Sequence, residues 1–160
     1  MIEQPLAYDD IADHARLQAQ VKTPICLDES IHGVADAQAM IDLKAGRIIN
    51  MKVARVGGLT NAIRIHDMAR DAGIAMWSGG MLETGVGRSV NIQLSTLPNF
   101  TLPGDLSATD RYFAEDIADP PFVLNQEDSS MTVPNGPGIG VEVQLDRVEK
   151  FRLRHTSITA

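Results

Sequence analysis

The sequence predicts an α/β fold made of repeated strand–helix units. Three observations predict it. Short apolar runs end in a polar residue, as in Ile25-Cys26-Leu27 before Asp28, Ile48-Ile49-Asn50-Met51 before Lys52 and Ile74-Ala75-Met76-Trp77 before Ser78. An amphipathic stretch follows each run. The run ends fall at Glu3, Asp28, Lys52 and Ser78, at intervals of 25, 24 and 26 residues. A period of that size is produced by a (β/α) barrel or by a doubly wound sheet.

The opening residues Met1-Ile2-Glu3 read as the end of a strand, where most domains begin with dispensable polar residues. A helix follows over Asp9–Val21, with Ile11, Ala15, Leu17 and Val21 on one side. The second strand, ending at Asp28, leads past a turn at Gly33 into a helix from Val34 to Leu43 that stops near Gly46. After Lys52, Thr60 is placed to cap a helix carrying Ala62, Ile63, Ile65, His66 and Ala69, which Gly73 ends. Gly85–Leu97 reads as the next helix, ending before Pro98, and Phe100-Thr101-Leu102 as a further strand. The strands are too apolar to have a wet face.

After about Leu106 the rhythm stops. Phe122-Val123-Leu124 and Met131-Thr132-Val133 read as short strands around a polar turn at 125–130. Residues 135–140 read as a loop, and Leu145–Leu153 as a short helix or strand. The chain therefore divides into strand–helix units over 1–106 and an appendage over 107–160 that covers something else.

Composition excludes several classes of function. A chain of 160 residues, 44% apolar and 22% charged, is ordinary for a soluble globular protein. The net charge of −7 repels nucleic acid and anionic membrane, and no Lys/Arg run overrides it. No 18-residue apolar stretch spans a membrane. The first residues lack the basic start and apolar core of a signal peptide. The single cysteine, Cys26, rules out an internal disulfide and fits a reducing cytoplasm.

In a parallel barrel the active site lies at the C-terminal strand ends. Glu3, Asp28, Glu29, Lys52 and the Ser78–Gly80 loop are the residues so placed. Two carboxylates on adjacent strand ends suit Mg²⁺. A cation close to a lysine favours the neutral amine, the form that takes a proton from carbon. The bland alternative stays open at this point: three polar residues that merely cap three strands.

The motifs Ile2-Glu3-Gln4-Pro5, Leu27-Asp28-Glu29-Ser30, Met51-Lys52-Val53-Ala54-Arg55-Val56-Gly57-Gly58 and Gly79-Gly80-Met81-Leu82-Glu83-Thr84-Gly85-Val86-Gly87-Arg88 resemble consecutive motifs of the enolase superfamily, in order and spacing. Leu102-Pro103-Gly104-Asp105-Leu106-Ser107 with Arg111-Tyr112-Phe113 is similar to its o-succinylbenzoate synthase / N-succinylamino acid racemase branch. The resemblance runs from Met1 to about Leu153 and implies a partial TIM-type (β/α) barrel. It implies Glu3 and Asp28 as metal ligands for Mg²⁺, Mn²⁺ or another divalent cation, Glu29 as a partner behind them, and Lys52 as the acid/base lysine. It implies Gly79, Gly80, Met81 and Leu82 as substrate-binding. The implied activity is proton removal next to a carboxylate. It leads either to dehydration in menaquinone synthesis or to racemisation of N-acylated amino acids.

The sequence also departs from that family. The family's Lys-x-Lys pair and first metal-binding Asp have no match here, and no Lys-x-Lys occurs anywhere. The chain thus resembles a truncated form whose appendage would pack on an absent capping domain. The enzyme so implied is expected to be impaired as an isolated chain; the alternative expectation is a catalytically incomplete half-barrel, inactive or active only with a complementing N-terminal half or in a homo-oligomer.

The remaining candidates read as structure. Cys26 reads as core, and Trp77 as core before substrate stacking. His14, His32, His66 and His155 show no metal-binding spacing. Gly136–Gly140 lacks the Lys-Ser/Thr ending of a phosphate loop. Arg88 fits a substrate carboxylate or a structural ion pair equally. Asp9, Asp10 and Asp13 read as a solvated helix start.

Overall fold

All four strand ends read from the sequence lie at, or one residue past, the end of a parallel strand in the computed structural model, which describes residues 1–158. The strands are β1 (Ile2–Glu3), β2 (Ile25–Leu27), β3 (Ile48–Met51) and β4 (Ala75–Ser78), in sheet order β1-β2-β3-β4. Cys26 pairs with Ile48, and Ile48 with Ala75; Asn50 pairs with Trp77. The helices between them are α1 (Ile11–Gln20), α2 (Val34–Leu43) and α3 (Leu59–Asp71), and α4 (Gly85–Leu94) follows β4. Each strand–helix–strand step joins neighbouring parallel strands, as a βαβ crossover does.

Strand alternation sorts the side chains onto two faces. Cys26, Ile48 and Trp77 form a buried cluster on one face, with Ala75 and Leu102 against it. Ile25, Leu27, Ile49, Met51 and Met76, also buried, alternate with them on the other. The fully apolar reading of β2 holds: all three of its residues are buried.

The chain divides into two compact units, one of residues 1–81 and 91–106, the other of Leu82–Val90 with the chain from Ser107 onward. The second unit contains a 3₁₀ turn (Thr109–Arg111), an antiparallel pair β5 (Ala118–Asp119) and β6 (Glu142–Val143), and helix α5 (Leu145–Phe151). In it the Asp116 carboxylate accepts the Gly85 N–H at 2.7 and 3.0 Å and the Ala118 N–H at 3.1 Å. Arg88 is fully buried, with Glu83 at 3.1 Å, an ion pair of the kind its structural reading expects.

Several expectations about elements need correction. Phe100–Leu102 is not a strand; isolated bridges at Phe100 and Asp105 cover the open edge of β4 instead, with Thr101 N–H to Met76 O at 3.1 Å and Asp105 N–H to Ser78 O at 2.9 Å. Phe122–Leu124 and Met131–Val133 form no strands: the ladder hydrogen bonds of this part lie between β5 and β6. Helix α4 ends at Leu94, before the predicted Leu97. Thr60 does not cap α3, because that helix begins one residue earlier with Gly58, at φ 104°, in the cap position. In α1 the buried residues are His14 and Gln18, not the apolar set. Gln18 is inside because its amide accepts the Ile25 N–H at 2.8 Å and donates to Val21 O and Thr23 O, tying the helix end to β2. Asp10 does more than sit in solvent: its Oδ1 accepts the Asp13 N–H at 2.8 Å and caps α1.

Candidate active site

The C-terminal ends of the strands open onto a groove of about 590 Å³ lined by Glu3, Gln4, Tyr8, Asp28, Glu29, Asn50, Lys52, Trp77 and Asp105. Four of the eight residues singled out in the sequence are therefore brought together here: Glu3, Asp28, Glu29 and Lys52. A second groove of about 580 Å³ is lined by residues such as Gln18, Leu43, Lys44, Arg47 and Gly73; it contains no carboxylate and no candidate from the sequence.

Asp28 is the centre of the arrangement. Its side chain is 5% exposed, and Lys52 Nζ donates to Oδ2 at 2.6 Å. Arg55 Nη1 donates to Oδ1. Removing a carboxylate from water is costly unless charge and hydrogen bonds compensate it, and here two cations do so. Arg55 is itself fixed, with Nε donating to Ile31 O at 2.8 Å and Nη2 to Asn50 O at 2.7 Å. The loop carrying Asp28 is held from below by Gln4. Its Oε1 accepts the N–H of Asp28 at 3.0 Å and of Ser30 at 3.2 Å, and its Nε2 donates to Ser30 Oγ at 2.8 Å. Gln4 adopts φ 36°, an unusual value for a non-glycine residue. Buried His14 supports this turn: Nδ1 donates to Asp10 O at 2.6 Å, so Nε2 is the acceptor for the Leu6 N–H at 3.3 Å.

Glu3 is more open. Its Oε1 accepts a hydrogen bond from Asn50 Nδ2 at 2.7 Å, and Oε2 makes none among the described residues. Glu29 is exposed on the groove wall, without a hydrogen bond among the described residues. Gly79 is buried beside the groove residues: a Cβ there would lie 2.0 Å from Asn50 Oδ1 and 2.8 Å from Lys52 Cε. Its φ is not in the left-handed region, so space rather than backbone freedom calls for glycine. Gly80 is half-buried and Met81 exposed, and neither lines the groove. Leu82, 71% exposed, falls in the second unit.

Trp77 lines the groove yet is 6% exposed, and its Nε1–H donates to Cys26 Sγ at 3.2 Å. Burial pushes the Cys26 thiol up to about 12, against the opposing pull of the Trp77 hydrogen bond; the charges of Glu3 and Asp28 push it further up. A thiol so held is inert, as its core reading requires.

Sequence reasoning missed Gln4, Asn50, Arg55 and Asp105 as site residues. Gln4 and Arg55 stood inside quoted motifs, next to Glu3 and three residues after Lys52. Asn50 carried a signal of its own, a lone amide within the apolar run Ile48–Met51. Asp105 stood inside the quoted motif Leu102–Ser107, with no sign of its own that it would face the groove.

No group of three or more His, Cys, Asp or Glu side chains among the described residues is placed to hold a metal ion. Glu3 and Asp28 offer a set of carboxylate oxygens only, the donor type hard divalent cations take. No helix among the described residues is long and apolar enough to cross a membrane.

Comparison with known proteins sets this groove in a family. The chain is 53% identical over 152 residues to the N-succinylamino acid racemase of Thermus thermophilus, covering 95% of this chain and 41% of that protein. It is 51% identical over 164 aligned positions to the o-succinylbenzoate synthase of Geobacillus kaustophilus, covering 100% and 43%. A crystal structure of an enolase superfamily member from Listeria innocua superposes with TM-score 0.88 at 48% identity, over 94% of this chain and 40% of that one. The muconate lactonizing enzyme of Pseudomonas putida gives TM-score 0.85 at 30% identity, over 94% and 41%. The chain thus spans about two fifths of the length of the curated relatives it matches. Residues 1–147 match the enolase C-terminal domain-like family model, and the chain, an α/β parallel sheet with the strand–helix order of a partial barrel, belongs to that family.

Proposed function

We propose that this chain carries part of the active site of a divalent-cation-dependent enzyme that removes a proton from carbon next to a carboxylate. The reaction is that of an o-succinylbenzoate synthase, an N-succinylamino acid racemase, or both. The observation that carries the reading is the convergence of Glu3, Asp28 and Lys52, from three successive parallel strands, on one open groove.

Glu3 and Asp28 would hold the cation, Mg²⁺ first and Mn²⁺ as a substitute. Mg²⁺ is usually bound through one or two carboxylates and keeps several waters, so two carboxylates fit in kind. A bound cation supplies positive charge against the substrate carboxylate as negative charge develops on it. Lys52 reaches the groove from β3 and ends 2.6 Å from Asp28. As an amine it takes the proton; as an ammonium it returns it or faces the developing charge. A single lysine serves one face of the substrate, which suits half of a two-base racemisation or the charge-stabilising partner in a dehydration. Glu29, on the groove wall, would act behind the ligands. Gly79, with Gly80 and Met81 beyond it, would border the substrate, and Leu82 has no role assigned from the groove's geometry.

The test is solvent exchange. The full chain is incubated with Mg²⁺ and an N-succinylamino acid in D₂O, and loss of the α-proton is followed by NMR, with Lys52→Ala as control. Exchange that needs both Mg²⁺ and Lys52 is the expected result. No exchange, even after the N-terminal portion of a relative is supplied, overturns the site assignment.

A second reading has its own observation: both oxygens of Asp28 are engaged by cationic side chains, and among the described residues no third carboxylate is placed to hold a metal ion with Glu3 and Asp28. On that reading the chain is inactive alone and gains activity with a complementing half or in an assembly. Exchange that appears only on adding the N-terminal portion distinguishes it.

A further inference from the structure

Asn50 is a buried groove residue whose polarity the proposed chemistry leaves unexplained. It sits in β3 among Ile48, Ile49 and Met51 and is 2% exposed. Its Nδ2 donates to Glu3 Oε1 at 2.7 Å. The amide cannot be turned over, because its oxygen would then face a carboxylate oxygen. Its Oδ1 is buried and has no hydrogen-bond partner among the described residues. That oxygen and the Lys52 arm fill the space a side chain at position 79 would take. Leucine, branched at the same atom, would suit the strand's pattern and leave no acceptor unmatched. Glu3 needs the amide: β1 is two residues long and both are exposed, and Asn50 is the only hydrogen-bond partner of the carboxylate among the described residues.

We propose that Asn50 is a positioning residue of the site. It aims the Glu3 carboxylate into the groove and thereby sets how tightly Glu3 and Asp28 take a divalent cation. The inference rests on the cation reading above.

The test uses the full chain, with Mn²⁺ as probe and binding read by its EPR signal. Asn50→Leu and Asn50→Ala are expected to weaken Mn²⁺ binding about tenfold or more, the scale of one charge-assisted hydrogen bond. In the Glu3→Ala background the same substitutions are expected to change binding little, since their effect runs through Glu3. Asn50→Leu is further expected to leave the urea midpoint unchanged or higher. Unchanged Mn²⁺ affinity in folded variants overturns the proposal, as does an equal loss with and without Glu3. If Asn50→Leu fails to fold, Asn50→Ala and the Glu3→Ala cycle decide. If the unaltered chain takes up no Mn²⁺, the cation reading fails, and the positioning claim is judged by NMR. Glu3→Ala is then expected to speed solvent exchange of the Asn50 side-chain amide about tenfold. Unmoved amide signals overturn it.

Discussion

Arg55→Met removes the more connected of the two cations that hold Asp28. Arg55 donates to Asp28, to Ile31 O at 2.8 Å and to Asn50 O at 2.7 Å, with its side chain 15% exposed against 5% for Asp28. Truncating one partner of a buried pair costs about 3–5 kcal/mol when the other is left uncompensated. Here Lys52 still faces Asp28 at 2.6 Å, which lowers the loss, while two backbone carbonyls lose a charged donor. Together these give a loss of about 2–4 kcal/mol. With a urea slope of about 2 kcal/mol per molar, the midpoint falls by about 1–2 M. Trp77, the single tryptophan, lines the groove and reports unfolding by fluorescence alongside far-UV circular dichroism. Asp28→Asn alone leaves two cations facing a neutral amide, so the Arg55→Met/Asp28→Asn double variant should lose less than the two singles combined, by about 1.5–3 kcal/mol. A loss under about 1 kcal/mol for Arg55→Met, or strict additivity in the cycle, would refute the claim that this ion cluster is compensated as a unit.

Two further perturbations probe the same region. Gly79→Ala would set a methyl 2.0 Å from Asn50 Oδ1, so it should cost about 1–3 kcal/mol by urea unfolding and shift the Asn50 side-chain NMR signals; a neutral effect would show the slot to be roomier than the geometry states. Cys26, raised from 9.0 to about 12, holds its proton more tightly folded than unfolded, so stability from this source is full below pH 9 and is lost as pH rises from 9 towards 12, by up to about 4 kcal/mol. The urea midpoint of the unaltered chain should therefore fall relative to Cys26→Val across that window, and Cys26 should resist thiol reagents at pH 8 until the chain unfolds; parallel midpoints would count against the shift.

The strand–helix rhythm was legible because burial on both sheet faces leaves an apolar run with a polar stop, and that pattern needs no tertiary knowledge. It located Asp28 and Lys52 one residue past their strands. What stayed illegible depended on partners distant in sequence. Nothing near Gln4 says that its amide will meet Asp28 and Ser30 across the β1–β2 step, and nothing near Gln18 says that it will replace a strand partner for Ile25. The Phe100–Leu102 run misled for a related reason: its apolar residues pack against the sheet and bridge β4, but too few of its backbone groups pair to make a strand. After Ser107 the apolar runs are short and the hydrogen bonds irregular, so periodicity carried little information there.

These gaps share a cause with the chemistry. Where Ile25, Leu27, Ile49 and Met51 fill the sheet, each residue's place follows from its own hydrophobicity. At the strand ends polar groups are buried against their own preference, and each is tolerated only by named partners: Asp28 by Lys52 and Arg55, the loop beneath it by Gln4, the Gln4 turn by His14. Two side chains depart from this among the described residues: the buried Ser78 hydroxyl has no partner, and Asn50 has one end matched by Glu3 and its Oδ1 by nothing. Selection for stability alone would replace such a residue with an apolar one, since an unmatched buried acceptor costs about 1–3 kcal/mol. The presence of Asn50 in an otherwise apolar strand, against a glycine that leaves room for it, is therefore an argument for the proposed role: the strand carries an unmet hydrogen bond at the residue that holds the Glu3 carboxylate.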